Sequence, residues 1–393
     1  MRPLKFIALS LLIAVAAVVG WRMPIGESNA NSAVTRIEST GHTTSSQQPS
    51  VSLRQSVTKP VALDPPDSFR LFGMTRDRQL SDAKHDVWSL DVPSISRVAL
   101  ASSGEFLVVL TNVPSAKAPA WRGQITVWDR SGTTLLVEGI QGRASSVAIS
   151  ADSTRLAVGT TSGQGVLLWD TNSWNVKWST AAPVADNVEA VSLSPDGDWL
   201  AYTAAKSSTD GEWVLWNVAE QKQRQRYVVN GSGNLHAIEF VPDDDLLFAT
   251  GSNDGRVRHW RGTQAEPTSR TFHAGQPIYA VASSPVGHLL AIGSGKRFAL
   301  WDFERDVRTF VKDQLPVQVN DVAFSPNGRH VAVSSGALVE IIDASTGQPI
   351  ETLTGFGARV LSMAYTPDGS KLFTVSANGK LRLCRLAAPS ESN

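Results

Sequence analysis

The chain has one cysteine, Cys384, in 393 residues. No intramolecular disulfide is available, so the fold rests on packing and hydrogen bonding. Net charge is also missing: 36 Lys and Arg balance 36 Asp and Glu. That balance leaves no basic footprint for nucleic acid and no acidic surplus for collecting cations. The usual enzyme signatures are absent, with no Gly-x-Ser-x-Gly elbow and no His-Glu-x-x-His. Gly293-Ser294-Gly295-Lys296 looks like a phosphate loop only in its first half. It lacks the hydroxyl residue after Lys and the helix that would follow, and reads as a tight turn. The histidines (His42, His85, His236, His259, His273, His288, His330) show no metal-ligand spacing. His236 and His330 sit beside apolar neighbours and read as packing residues. Asp243-Asp244-Asp245 reads as a solvated turn. No enzyme activity, cofactor or metal is expected.

What is present is ample core, 42% hydrophobic against 18% charged, and twelve tryptophans that need an explanation. The first residues form a segment apart. Arg2 and Lys5 precede an apolar run from Phe6 to Val19, broken only by Ser10. This is the pattern of an export segment. A helix over the run rises roughly 21 Å, short of the ~30 Å hydrocarbon core. Residues 1–28 are therefore expected to be an apolar helix, serving either as a signal peptide cleaved near Ser28-Asn29-Ala30 or as a single-pass membrane anchor. Both alternatives place the remainder outside the cytoplasm, periplasmic or extracellular, because the positive end stays inside. No Cys follows the run, which excludes bacterial-type lipidation. Residues 29–67 are expected to be a disordered Ser/Thr-rich linker: 13 of the 31 residues from Ser28 to Thr58 are Ser or Thr.

From residue 95 onward one pattern is written seven times. A four-residue turn recurs as Ala101-Ser102-Ser103-Gly104, Ser150-Ala151-Asp152-Ser153, Ser194-Pro195-Asp196-Gly197 and Val241-Pro242-Asp243-Asp244. It returns as Ser284-Pro285-Val286-Gly287, Ser325-Pro326-Asn327-Gly328 and Thr366-Pro367-Asp368-Gly369. The spacings are 49, 44, 47, 43, 41 and 41 residues. Pro presets φ, and Asp or Asn with Gly accept the remaining turn angles. Alternating apolar segments flank each turn, such as Val147-Ala148-Ile149 before and Arg155-Leu156-Ala157-Val158 after. A third strand ends in Trp128-Asp129, Trp169-Asp170, Trp216-Asn217, Trp260-Arg261 and Trp301-Asp302, with Ile342-Asp343 and Cys384-Arg385 as degenerate copies. These tryptophans read as core residues, and Cys384 as a small one.

A 41–49-residue period with four strands and Trp-Asp resembles the WD40-repeat family in a divergent, exported form. The resemblance implies an all-β fold: a seven-bladed β-propeller of four-stranded repeats, over residues 68–388. The family's Gly-His before the first strand is absent, so its His–Asp–Ser/Thr–Trp network is expected to be missing from most blades. The last repeat ends at Leu386 and lacks a fourth strand. An open ring would leave an exposed edge. His85-Asp86-Val87-Trp88-Ser89-Leu90, about one strand-plus-loop before Arg97, is expected to supply it.

By the same resemblance, partners dock on the rim that holds the second turn and the link into each first strand. The longest insertion there, Asn112 to Gln124, is expected to be an exposed loop carrying Lys117, Trp121 and Arg122. A second loop, Ala204 to Glu212, carries Lys206, and Arg143, Asp186, Asn234 and Arg359 fall on the same rim. Trp beside Arg is a composition enriched in binding hot spots. The expected function is a non-catalytic protein-interaction scaffold displayed on the extracytoplasmic side of a membrane. It would bind one or more proteins and no nucleic acid, touching the membrane only through an uncleaved N-terminal segment. The alternative is an exported propeller enzyme or ligand sensor using the central channel. Channel-facing positions such as Ser145, Ser146, Val188 and Asn320, with isolated Arg97, Glu189 and Asp321, offer little for catalysis.

Overall fold

The computed structural model describes residues 52–56, 74–76, 87–116, 120–129, 134–161, 164–180, 187–242, 246–262 and 267–387. The expected apolar helix lies outside the described residues, as does most of the linker. No helix occurs among the described residues, so none there is long and apolar enough to cross a membrane.

The strands form seven separate antiparallel sheets, five of four strands and two of five. We number these blades 1 to 7 from the inner strands Ile95–Leu100, Ala144–Ile149, Val188–Leu193, Leu235–Phe240, Ile278–Ser283, Val319–Phe324 and Val360–Tyr365. The ring closes as the unfinished last repeat demands. Val87–Asp91 pairs with Lys380–Arg385, in the register Trp88 to Leu383 and Leu90 to Leu381. The first strand of the ring thus completes the last blade. Thr75–Arg76 adds a short fifth strand outside it.

Composition changes from hub to edge because each position meets different surroundings. Second strands lie between two neighbouring blades and are buried on both faces. Leu289–Ser294 and His330–Ser335 accordingly read as almost unbroken runs of apolar and small residues. Inner strands crowd the axis and carry small residues, including Ala99, Ala148, Ala282 and Ala323. Outer strands face water, and Lys222–Val229 begins with exposed Lys222, Gln223 and Arg224. The core is a set of slabs between blades; Ala190, Trp213, Leu235, Phe248 and Trp260 fill the one joining blades 3 and 4.

The repeated turn is wired by its own side chains. In blade 3 the Ser194 hydroxyl donates to Asp196 at 2.5 Å and accepts the Trp199 amide at 2.9 Å. Asp196 accepts the Asp198 amide at 2.8 Å. Gly197 takes the left-handed φ of 73°, a position filled in blade 2 by Ser153 at 61°. The same bonds recur around Ser325 and Asn327 and around Thr366 and Asp368. The carboxylate at the end of the third strand serves the next turn: Asp170 and Asp302 after Trp, and Asp343 after Ile342, each accept two backbone amides there. Asp129 ends its strand, and residues 130–133 after it lie outside the described residues.

Four expectations change. Within the expected linker, Ser52–Ser56 is a strand, paired antiparallel with Thr134–Gln141 on the outer edge of blade 1. A β-sheet edge offers free backbone groups that a polar segment satisfies without a hydrophobic pattern. Asn112 to Gln124 is not a loop: Phe106–Pro114 and Trp121–Asp129 pair out to Pro114 with Trp121, forming a long hairpin. The shorter insertion is likewise a hairpin, paired out to Ala205 with Gly211. Trp128, Trp169, Trp260 and Trp301 are buried, but Trp216 is only half-buried, tilted against Trp178 at 5.3 Å. The fully buried indole of that strand is Trp213.

Candidate functional site

The rim carrying the second turns and the links between blades is here called the upper rim. One backbone feature repeats on it. In every blade the pairing of inner and second strands shifts by one residue near the upper end. Such a bulge leaves one inner-strand residue unpaired and re-aims its side chain. The unpaired residues are Ser96, Ser145 and Leu361 on one side of the ring and Glu189, His236, Tyr279 and Asn320 on the other. The bulges therefore gather polar and aromatic groups from blades 3 to 6 at the mouth of the channel.

Three of these groups touch. The His236 ring stacks on Tyr279, with centroids 5.2 Å apart at 28°. Its Nε2 lies 2.9 Å from Oδ1 of Asn253, and its Nδ1 lies 3.9 Å from Glu189. Burial disfavours the imidazolium, but the Glu189 carboxylate and the Asn253 amide oxygen outweigh it and hold the His236 pKa above its ordinary value. His236, read from the sequence as a packing residue, is stacked and hydrogen-bonded, and it also lines the channel mouth with Tyr279 and Asn320; the bulge that puts it there is not written in the apolar alternation.

Outward from Glu189 a groove of about 400 Å³ runs over blades 3, 2 and 1, lined by Trp121, Gly142, Arg143, Thr161, Asn187 and Glu189. Trp121 stands at the head of its strand and Arg143 on the link into blade 2. The Arg143 guanidinium lies 4.2 Å from the centre of the Trp121 ring. Thr161 fixes the Arg143 backbone: its hydroxyl accepts the Arg143 amide at 3.2 Å, and its own amide donates to the Arg143 carbonyl at 2.9 Å.

The other rim candidates are spread out. Arg122 is half-buried on the alternate side of the strand from Trp121. Lys206 is exposed on the second turn of blade 3, and Arg359 is exposed on the link into blade 7. Asn234 is half-buried, its carbonyl accepting the Asn253 amide at 3.0 Å. Lys117 and Asp186 lie outside the described residues. The fold thus joins Trp121 with Arg143, and Glu189 with His236; the remaining candidates stay apart.

The channel below is a cavity of about 650 Å³. Adjacent inner strands belong to different sheets, and polar side chains stitch them together. Ser146 accepts the Val191 amide at 3.2 Å, Ser192 that of Phe240 at 3.2 Å, and Ser362 that of Val98 at 3.3 Å. Asp321 does the same for Met363 at 2.7 Å. Burial raises the Asp321 pKa to about 6, opposed by the Arg97 charge and by amide bonds from Met363 and Val322. Arg97 itself donates to the Leu361 carbonyl at 2.9 Å. Arg97 and Asp321 are thus members of the ring's stitching. No group of three or more His, Cys, Asp or Glu side chains converges to hold a metal among the described residues.

Of the expected Trp network, one link remains in blade 4, where the Trp260 indole donates to the Thr250 hydroxyl at 2.7 Å. In blade 7 Cys384 occupies the Trp position, and the hydroxyl of the equivalent Thr374 is buried without a partner.

Comparison with known proteins follows the same repeats. The model for WD domain, G-beta repeat matches residues 180–217, 223–261, 267–302, 307–343 and 347–384. Protein LST8 homolog of Drosophila melanogaster is 28% identical over 166 residues, 39% of this chain and 52% of that protein. Protein FIZZY-RELATED 2 of Arabidopsis thaliana is 25% identical over 257 residues, covering 64% and 51%. The chain spans about half the length of these relatives. A chain in the crystal structure of the mitotic checkpoint complex superposes with a TM-score of 0.66 at 22% identity, covering 84% of this chain and 97% of its own, a likeness of fold.

Proposed function

The chain belongs to the WD40 repeat family, and from that premise we propose that it is a non-catalytic scaffold that holds one or more protein partners on its upper rim. WD-repeat propellers typically act as protein-interaction scaffolds, and propeller rims offer rigid surfaces on which loops and strand ends vary. The observation that carries the reading is the Trp121–Arg143 pair. Aromatic and Arg side chains dominate binding hot spots, and a pair already stacked loses little freedom when a partner covers it. The groove beside it extends across three blades to Glu189, so a partner segment lying in it would meet residues of all three.

The finer part of the proposal is display outside the cytoplasm, by a cleaved signal peptide or an uncleaved anchor. Its support is the sequence of residues 1–22, with Arg2 and Lys5 before the apolar run. Protease protection of the propeller in intact cells is the expected outcome for an exported domain behind an outer barrier, and cleavage only after that barrier is opened checks it. N-terminal sequencing of the purified protein separates cleaved from anchored.

The partner is tested by crosslinking and co-purification from the membrane fraction. A stoichiometric protein partner is expected with the parent chain. Its recovery falls sharply with Trp121→Ala and with Arg143→Ala, while both variants melt as the parent does. A partner retained by both variants overturns the rim assignment.

A further inference from the structure

One carboxylate in the channel is left unused by the stitching and by the rim. Glu239 sits on the inner strand of blade 4, opposite Ala249. At the same level of the ring the other six strands carry Ala99, Ala148, Ser192, Ala282, Ala323 and Ala364. Small residues suffice at this level to build the hub, so the fold itself does not ask for a carboxylate there. Asp321 is the instructive contrast. It accepts two backbone amides and has Arg97 nearby. Among the described residues the Glu239 carboxylate has one hydrogen bond, from the Ser192 hydroxyl at 3.5 Å, and no ion pair. Ser192 is meanwhile committed to the Phe240 amide. Glu239 is half-buried and lines the 650 Å³ cavity with Ala282, Ala323 and Ala364.

We infer that the channel is a binding site for an alkylammonium group, with Glu239 as its counter-ion and the small residues at its level as the apolar wall around it. The alanines leave an apolar surface beside Glu239, while Asp321, in the same cavity, is held by two backbone amides, which suits a charged head on a hydrocarbon chain better than a compact, strongly hydrated metal ion. Tyr279, lining the same cavity nearer the upper mouth, adds a π face for a cation. Burial pushes the pKa of the acid up to about 8; the Ser192 hydroxyl opposes the shift and the Asp321 charge adds to it. A bound cation reverses that balance, so the acid ionises as the ammonium enters and one proton leaves to solvent. The ammonium belongs either to a free amine or to a lysine side chain of a partner. The assignment stands on the channel alone and does not need the rim groove.

Two probes separate the sources: 1,4-diaminobutane, and a glycine-flanked peptide with one lysine. Each is titrated calorimetrically into the full chain at about pH 7, in two buffers of different ionisation enthalpy, which reveals proton release. Binding in the millimolar range or tighter, with proton release, is expected from at least one probe. Glu239→Gln weakens it about ten-fold or more and abolishes the proton release, while its melting temperature is unchanged or higher. Trp121→Ala leaves it intact, so failure of the rim proposal is distinguishable from failure here. Diamine binding assigns the site to a free amine, and binding of the peptide alone assigns it to a partner's lysine; both support the inference. No binding by either probe, or equal binding to Glu239→Gln, overturns it.

Discussion

Single side chains in this ring differ in consequence although they occupy equivalent places. Thr250 and Thr374 are matched positions on the second strands of blades 4 and 7. Thr250 receives the Trp260 indole, whereas in blade 7 Cys384 stands where that Trp would be and the Thr374 hydroxyl is unsatisfied. Thr250→Val is expected to cost about 1–3 kcal/mol, because the buried indole N–H then has no acceptor. Thr374→Val is expected to be neutral or to stabilise by up to about 1 kcal/mol, because it removes an unpaired buried hydroxyl at nearly constant shape. Urea unfolding of the two variants checks the difference in sign. Glu239 supplies a pH-dependent case. Its folded pKa is raised to about 8, so the neutral acid favours the fold at low pH and that contribution is lost as pH rises through about 8. Glu239→Gln should match the parent near pH 4 and exceed it above about pH 8. The gain is on the order of 2 kcal/mol, reduced by channel water from the full shift. Thermal unfolding across that range measures it, and a constant offset would contradict the assignment.

At the scale of the element, the seven turns and seven bulges do opposite work. The turns of blades 2, 3, 6 and 7 are locally determined, since a hydroxyl and an Asp or Asn side chain lie within three residues and close their bonds with the turn's own backbone. Asp368 illustrates the electrostatic part. Burial raises its pKa, but hydrogen bonds from Thr366 and Ser370 prevail and lower it to about 2. Stability from this carboxylate is present above about pH 4 and is lost as pH falls towards 2. Asp368→Ala is therefore expected to cost about 1 kcal/mol near pH 7, a modest value because water still reaches the group, and to cost little near pH 2. Acid titration of the unfolding midpoint of parent and variant checks this. The bulges depend on how an inner strand meets both its partner strand and the narrow hub. Their side chains, His236 and Tyr279 among them, carry no local signal that announces the channel mouth.

At the scale of the molecule, stability depends on joining the two ends of the ring. Val87–Asp91 is remote in sequence from Lys380–Arg385, yet it completes that sheet and brings Trp88 and Leu90 against the core between blades 7 and 1. Removing residues 1–51 is expected to leave the unfolding midpoint within about 1 kcal/mol of the parent, since every strand of the described residues is kept. Removing residues 1–91 takes away the closing strand and exposes an unpaired edge, so a loss of several kcal/mol and a tendency to associate edge to edge are expected. Chemical denaturation with size-exclusion chromatography separates the two truncations. A protein unchanged by the larger deletion would show that the last blade stands on three strands.

The sequence by itself determined what repeats. Period, turn chemistry and the Trp-Asp ends announced seven four-stranded units, and the missing last strand pointed to Val87–Asp91, because turns and strand alternation are written within a few adjacent residues. It also pointed to Trp121 and Arg143 as rim residues through their place between the second and third strands and before an inner strand. Tertiary structure alone decided that the Asn112–Gln124 insertion is a hairpin, that Trp213 rather than Trp216 fills the core, and that His236 meets Glu189 and Tyr279. It also decided that Asp321 is stitched to its neighbours while the Glu239 carboxylate meets five alanines and only the Ser192 hydroxyl at its level. Each of these depends on which blade lies next to which around a common axis, and groups from neighbouring blades are some forty residues apart along the chain.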